Sequence, residues 1–463
     1  MGFFGLQVGF SALRAQQYAM DVTSHNIANA NTEGYRRQQP VFIPGNPLLG
    51  AFTLNGIGIP QLGTGVLVQT VRRMQSDYIE GQIRMGAQEL GTWSARNQAL
   101  QQVETMLSEL SDNSLSNLMD EFWNSWQELA ASPESFPARL AVVEAASSLS
   151  DRIRTLYHDL RSLQRETDQT IISEVKRVNQ IAHEIASLNE QITRSLAGGY
   201  QPNDLLDRRD MLIEELSQIA RIQVHGAGGA DCIISIGGKA LVQGNMVTEL
   251  STVEGPNGWS QIAWTDNSSP ATIPGGELKG LLDIRDTVLE GYILKLNDLT
   301  QTLVSNVNAV HNTGYDLNGN NAGDFFVPGS DASNIAVDPT ILASPSLVAA
   351  SGNGAPGDNT CARTMADLRN VPLLNGQTID SAYGTFVALI GSDVREARTR
   401  AAVHELSLKQ LKNQRESISG VSLDEEMVNM LKFQQAYNAA ARIITVVDEM
   451  ISTLINQTGI VGR

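Results

Sequence analysis

Six histidines, two cysteines and a few acid-bearing turns are the residues of this chain best suited to chemistry. Their spacing gives them little to do. His25, His158, His183, His225, His311 and His404 are widely scattered. His183-Glu184 opens like a zinc-protease motif, but the position four residues on, where the second ligand belongs, is Ser187. An exposed helical histidine is the simpler reading. Gly9-Phe10-Ser11 looks like half of a nucleophile elbow, yet Ala12 stands where the closing glycine belongs and no strand precedes it. Asp316-Leu317-Asn318-Gly319-Asn320 has the texture of a calcium loop. The EF-hand register wants glycine where Asn321 stands and glutamate where Val327 stands. A turn is the better account, with a weak cation site as the alternative. Cys232 and Cys361 are too few for a disulfide framework or a structural zinc site and read as unpaired, buried thiols. Gly63-Thr64-Gly65 lacks the Lys-Ser/Thr of a phosphate loop and reads as a strand-edge turn. The sequence therefore offers no catalytic residue, no cofactor site, no metal site and no enzyme.

Composition narrows the partners. The 463 residues carry a net charge of −17, which repels nucleic-acid phosphates. The charge is uneven. Residues 1–75 hold Arg14, Arg36, Arg37, Arg72 and Arg73 against only Asp21 and Glu33. No apolar run reaches the roughly 18–20 residues of a membrane span. Met1 to Met20 lacks the basic, apolar and cleavage regions of a signal peptide, and Leu6 breaks a myristoylation motif. Composition alone reads as a soluble cytoplasmic protein.

Glycine and proline divide the chain into elements. None of its glycines falls between Gly91 and Gly198, and the only prolines there are Pro133 and Pro137. This spacing predicts a helix over 76–131, a hinge over 132–137 and a helix over 138–197, with Pro137 in the first turn of the second. Helices that long pack as an elongated bundle, and Ile171, Val175, Val178, Ile185, Leu188 and Ile192 supply one buried stripe. A further helix is expected over 203–220. Residues 222–274 alternate short β-branched runs with turn residues and read as a small β domain, with Trp259 and Trp264 in its core. Helix resumes over 276–311. The loop-rich stretch 312–378 either completes the β domain or packs irregularly on the bundle. Two last helices, 379–418 and 422–456, are separated at Ser419-Gly420-Val421, and Ser422 with Glu425 forms a capping box. The fold class is mainly α with a smaller inserted β-rich domain.

The two ends look like partners. In residues 6–30, Leu6, Phe10, Leu13, Gln17, Met20, Ser24 and Ile27 step by four and three. In residues 422–456, Met427, Met430, Gln434, Tyr437, Ala441, Ile444, Asp448, Ile451 and Ile455 do the same. Each is a coiled-coil seam without a core of its own, so the N- and C-terminal helices are expected to pair. A lone helix burying one stripe is marginal in water, so both ends are expected to be frayed before assembly. The chain accordingly divides into 1–45 with 421–463 as a terminal coiled-coil axial domain. An elongated helical bundle takes 46–221, 276–311 and 379–420, the β domain 222–275, and the loop-rich segment 312–378.

The text of these helices carries a resemblance. Ser-His-Asn-Ile-Ala-Asn-Ala-Asn-Thr-Glu-Gly-Tyr-Arg-Arg at 24–37 resembles the N-terminal signature of the bacterial flagellar axial family, the rod, hook and hook-junction proteins. Residues 423–454 resemble its C-terminal signature, and KFQQAY at 432–437 is most similar to the hook–filament junction branch. Hook and rod members usually carry arginine where Gln435 stands. NDLLDRRDMLIEELS at 203–217, IGGKALVQGN at 236–245 and GGELKGLLDIRD at 275–286 point the same way. Glu33, where proline is frequent in the family, is a mild departure.

The resemblance implies a non-enzymatic structural adaptor: a ring between hook and filament, with terminal helices lining the inner tube and the other domains outward. It implies hook protein, a second junction protein and further copies of the chain as partners, and an export chaperone that binds the C-terminal helix as a helix in a groove. It also implies a secreted flagellar component exported without a cleaved signal, which overrides the cytoplasmic reading. By resemblance, Asn26, Ala28, Asn29, Asn31, Gly34 and Tyr35 form the turn after the first helix, with Gly34 free to take positive φ. The assembly interface takes Leu6, Phe10, Leu13, Met20 and Ile27 from one end. From the other it takes Leu423, Met427, Met430, Leu431, Phe433, Tyr437, Ala441, Ile444, Ile451 and Ile455. The rivals are a hook or distal rod subunit, against which the long helical block 92–220 argues, and a secreted enzyme with its site in 312–378.

Overall fold

A computed structural model of the chain describes residues 2–46, 63–107 and 114–457. The fold is mainly α with small antiparallel sheets. It opens with α1 (Gly2–Ala28), β1 (Gln38–Pro44), β2 (Val66–Arg73), α2 (Asp77–Leu107), α3 (Leu115–Ala131), α4 (Phe136–Ala197) and α5 (Asn203–Ile219). Strands β3 (Ile222–His225), β4 (Ile233–Ile236), β5 (Lys239–Gln243) and β6 (Met246–Val247) form one sheet, and β7 (Leu250–Glu254) with β8 (Ser260–Trp264) another. Then come α6 (Glu277–Asp283), α7 (Leu289–His311), α8 (Pro339–Ala343), α9 (Thr360–Asp367), α10 (Ile379–Ser419) and α11 (Leu423–Gln457).

The spine is α4. Its 62 residues span about 93 Å at ~1.5 Å per residue. Ser135 caps it by accepting the Ala138 N–H, and Pro137 sits in the first turn, where no helical partner for an N–H exists. Its buried stripe serves two cores in turn. Leu149, Ile153, Leu156, Leu160 and Leu163 pack with α3, α7 and α10. Ile171, Val175, Val178, Ile181 and Ile185 pack with α5 and the β domain.

The expected continuous helix over 76–131 does not form. Helix α2 ends at Leu107, and Ser114, in extended backbone, starts α3 by accepting the Asn117 N–H. The intervening residues 108–113 lie outside the described ones. The helix expected over 276–311 runs through but contains a π turn at Ile284–Val288. One extra residue in a turn rotates the helix beyond it. Here Arg285 is buried, with Nη1 2.6 Å from Asp168 Oδ1 and 2.7 Å from the Ser260 carbonyl, joining bundle to β domain. In the β domain Trp264 is core, but Trp259 is only half-buried beside the turn at Gly255–Gly258.

The loop-rich stretch 312–378 packs on the bundle. Phe325, Phe326, Ile335, Val337, Val348 and Met365 join a core with Phe122, Trp123 and Trp126 of α3. Fully buried His311 organises it, with Nδ1 2.6 Å from the Gly323 carbonyl while Nε2 accepts the Ala349 N–H at 2.9 Å. Burial lowers its pKa to about 4 from an ordinary 6.5, and the Gly323 carbonyl only partly opposes this. The unfolded chain therefore takes up the proton first. The stability His311 contributes, about 3 kcal/mol, is full above pH 6.5 and lost as pH falls toward 4. An NMR titration should show this ring neutral at pH 5.5; protonation near 6.5 would contradict the assignment.

Candidate functional site

The two ends of the chain meet. Helices α1 and α11 pack antiparallel: a Cβ on Gly5 would lie 3.1 Å from Val447, a Cβ on Gly9 2.9 Å from Ile444, and Asn26 reaches Glu426. Small residues make the approach possible, since Gly9, Ala15 and Ala19 are buried on α1 and Ala440 on α11. The hairpin β1–β2 lies alongside. Val66 N–H donates to Ser11 Oγ, and the Phe42 ring stands 6.2 Å from that of Phe433.

The seam differs from the expected one by a residue at alternate positions. On α11 the covered line is Glu426, Met430, Phe433, Tyr437, Ala440, Ile444, Val447 and Ile451. Met430, Tyr437, Ile444 and Ile451 lie on it as expected. Met427, Gln434, Asp448 and Ile455 face outward, with half-buried Ala441 beside the line. The physical reason is polarity: the observed register replaces Gln434 and Asp448 with Phe433 and Val447. Leu423 and Leu431 are also exposed. On α1, Leu6, Leu13, Met20 and Ile27 are half-buried flanks, Phe10, Gln17 and Ser24 are exposed, and the inner line is Gly9, Ala15, Ala19, Val22, Thr23 and Asn26.

A polar knot fixes the pair to the body. Asn26, 1 % exposed, uses both amide hydrogens and its side-chain oxygen. Its Nδ2 donates to the Gln38 carbonyl and to Glu426 Oε2, each at 2.8 Å. Its Oδ1 accepts from the Gln38 N–H at 2.9 Å and Tyr35 Oη at 2.8 Å. This fills the hydrogen-bonding capacity of an asparagine side chain. Buried Glu426 takes Arg37 Nε at 2.8 Å, while exposed Glu425 takes Arg37 Nη1 at 2.8 Å. Only half of the expected capping box forms, because Glu425 N–H meets Ser422 Oγ while its carboxylate turns to Arg37. Burial pushes the Tyr35 hydroxyl pKa up, with Asp204, Asp207 and Glu426 adding to the shift, so it remains a donor.

A second cluster lies behind the knot. Arg36 Nη1 reaches Asp210 Oδ2 and Gln75 Oε1, each at 2.5 Å, and Nη2 lies 3.0 Å from Glu80. Arg73 Nη1 donates to Asp207 Oδ1 at 2.8 Å and Asp210 Oδ2 at 3.0 Å. Gln38 donates to Asp204, and Asn203 donates to Gln38 and to the Val71 carbonyl. Burial pushes the Asp207 and Glu80 carboxyls up, although arginines pull the other way. Such a cluster fixes geometry more than it adds stability, because desolvation offsets most of the attraction.

Asn26 and Ala28 belong to α1, so the turn is shorter than expected and starts at Asn29. Asn29 donates back to the His25 carbonyl and accepts from Thr32, Asn31 is exposed, and Gly34 has φ +77° with Met211 over it. Sequence reasoning missed Arg36, Arg37, Arg73 and the acids of α5; a polar stripe at helical spacing through 203–210 was the available signal. In 312–378 the acids build turns. Asp316 accepts Asn318 and Asn320 N–H groups, Asp324 the Asn312 amide, Asp331 the Ser333 N–H, and Asp338 caps α8. Among the described residues no cluster of His, Cys, Asp or Glu could hold a metal ion, and no helix is long and apolar enough to cross a membrane.

Comparison with known proteins agrees with this anatomy. Residues 100–326 match the family "Flagellar hook-associated protein FlgK helical domain", 6–36 "Flagella basal body rod protein", and 412–457 "Flagellar basal body rod FlgEFG protein C-terminal". The chain is similar to the flagellar hook-associated protein 1 of Bacillus subtilis, 29 % identical with 100 % of this chain and 99 % of the relative covered. It is 27 % identical to that of Escherichia coli, covering 96 % and 98 %. The solved flagellar hook junction protein FlgK from Burkholderia pseudomallei shares the fold with a TM-score of 0.64 and 16 % identity, over 73 % of this chain and 100 % of that one.

Proposed function

We propose that this chain, a member of the flagellar hook-associated protein 1 family, works at the hook–filament junction as a ring-forming adaptor. Its α1–α11 pair completes its fold against neighbouring subunits. The observation that carries this reading is the uncovered side of the pair. With α1 on one face, α11 still exposes Leu431, Ile443, Val446, Met450 and Leu454. An apolar stripe of this length on a paired helix fits a docking surface. Covering a few hundred Å² of it would contribute several kcal/mol at ~25 cal/mol per Å², against ~1–2 kcal/mol for each residue ordered.

In this reading the axial unit is 1–45 with 421–463. The bundle (46–221, 276–311, 379–420), the β domain (222–275) and segment 312–378 lie outside it. Hook protein, a second junction protein and further copies cover the α1–α11 surface after assembly, and an export chaperone covers α11 before it. The outward residues Phe10, Leu423, Met427, Leu431 and Ile455 make contacts between subunits, while Met430, Phe433, Tyr437, Ile444 and Ile451 hold the pair. The protein reaches the flagellum by export from the cell.

Co-sedimentation with isolated hooks tests the adaptor. The purified chain should bind and saturate at a fixed number of copies per hook end, and Leu431→Asp or Met450→Asp should abolish binding while the body stays folded. Binding spread along the hook wall, or retained by both variants, would overturn the reading.

A further inference from the structure

The first turns of α5 carry two stripes that face different partners. Asn203, Asp207 and Asp210, at i, i+4 and i+7, face the β1–β2 hairpin and hold Val71, Arg73 and Arg36. Leu206, Arg209, Ile213 and Leu216, at i, i+3, i+7 and i+10, are all buried; Ile213 and Leu216 lie in the core shared by α4 and the β domain. Arg209 is a fully buried cation in that apolar stripe, and no carboxylate among the described residues pairs with it. Its Nη1 donates to Asn189 Oδ1 and to the Gly229 carbonyl, each at 2.8 Å, and Nη2 donates to the Ala227 carbonyl. It thereby holds the glycine loop 226–231 against α4.

The two stripes are electrostatically joined. Burial lowers the Arg209 pKa, the Asp210 charge opposes this, and Arg73 adds to it. Asp210 thus bears on three arginines at once, Arg36 and Arg73 by direct contact and Arg209 by field. A cavity of about 310 Å³ lined by Arg36, Glu80, Asp210, Gly226, Ala227 and Gly228 brings Arg36, two residues before β1, and the glycine loop onto one space with Asp210.

We propose that Asp210 and Arg209 make α5 a shared anchor, on which the axial hairpin and the glycine loop of the β domain stabilise each other's seat. The terminal pair and the outer β domain are then energetically coupled within one chain. The coupling lies in contacts inside the protein and is independent of anything the chain docks to.

Amide hydrogen exchange on the purified full chain tests it. Asp210→Asn, nearly isosteric, should raise exchange roughly five- to tenfold in β1–β2 and also across 226–236. Arg209→Lys should raise it across 226–236 and, by a similar factor, in β1–β2, because coupling between sites is reciprocal. Glu215→Gln, at an exposed ion pair of the same helix with Arg177, should change neither. Arg73→Lys repeats the hairpin-side test with the charge kept. Effects confined to the hairpin for Asp210→Asn and Arg73→Lys, and to the loop for Arg209→Lys, would overturn the proposal. So would uniform loss of protection reaching Trp123 and Trp126.

Discussion

Glu426→Ala should lower the affinity of the purified protein for isolated hooks by about a hundredfold, while Glu425→Ala should change it less than about fivefold. Both carboxylates meet Arg37 at 2.8 Å, but Glu426 is 2 % exposed and Glu425 63 %. Truncating Glu426 leaves the Asn26 amide short of an acceptor in a buried site and strips Arg37 of its sheltered partner. Removing one member of a buried pair costs about 3 kcal/mol, roughly a hundredfold, whereas an exposed pair contributes under about 1 kcal/mol. The loss falls on the seat of α11, because the large bundle core has no part in this contact. Circular dichroism and the urea midpoint of the body should therefore stay put. Equal losses from the two substitutions would show that the buried knot does not seat the helix.

Trp126→Ala should destabilise the body by about 3–5 kcal/mol, and Trp126→Phe by only about 1–2 kcal/mol. Trp126 is fully buried, with the Phe325 ring 5.4 Å away and those of Phe122 and His311 each at 6.4 Å. Alanine leaves a cavity that this rigid aromatic cluster cannot close. Phenylalanine keeps most of the volume, and the buried Nε1 has no partner to lose. Since Phe325 and Phe326 bring 312–378 onto α3, the alanine variant should also expose that stretch to protease. Equal urea midpoints for the two variants would mean that packing at Trp126 does not hold the segment.

Much of this architecture is written in local signals. The scarcity of glycine and proline before Gly198 announces α4, and Ser135 with Pro137 marks its start. Matching heptads at the two ends announce their pairing. The register was harder, because Met427 and Phe433 are both apolar and the deciding fact is where Gln434 and Asp448 go. The break before α3 was legible in Ser111-Asp112-Asn113-Ser114, a run of cap and turn formers, but the apolar pattern on either side masked it. The knot was not legible. Arg36 and Arg37 meet acids some 40 to 390 positions away, and spacing along a chain carries no trace of such contacts.

Whether the ends of the chain fold on assembly can be read by amide hydrogen exchange, compared between the purified monomer and protein assembled on isolated hooks. Rapid exchange is expected over 2–28 and 423–457 in the monomer, with strong protection of both on hooks and an unchanged body. Ends already protected in the monomer and untouched by hooks would make α1 and α11 ordinary domain helices. That result would contradict an adaptor whose termini complete their fold on assembly.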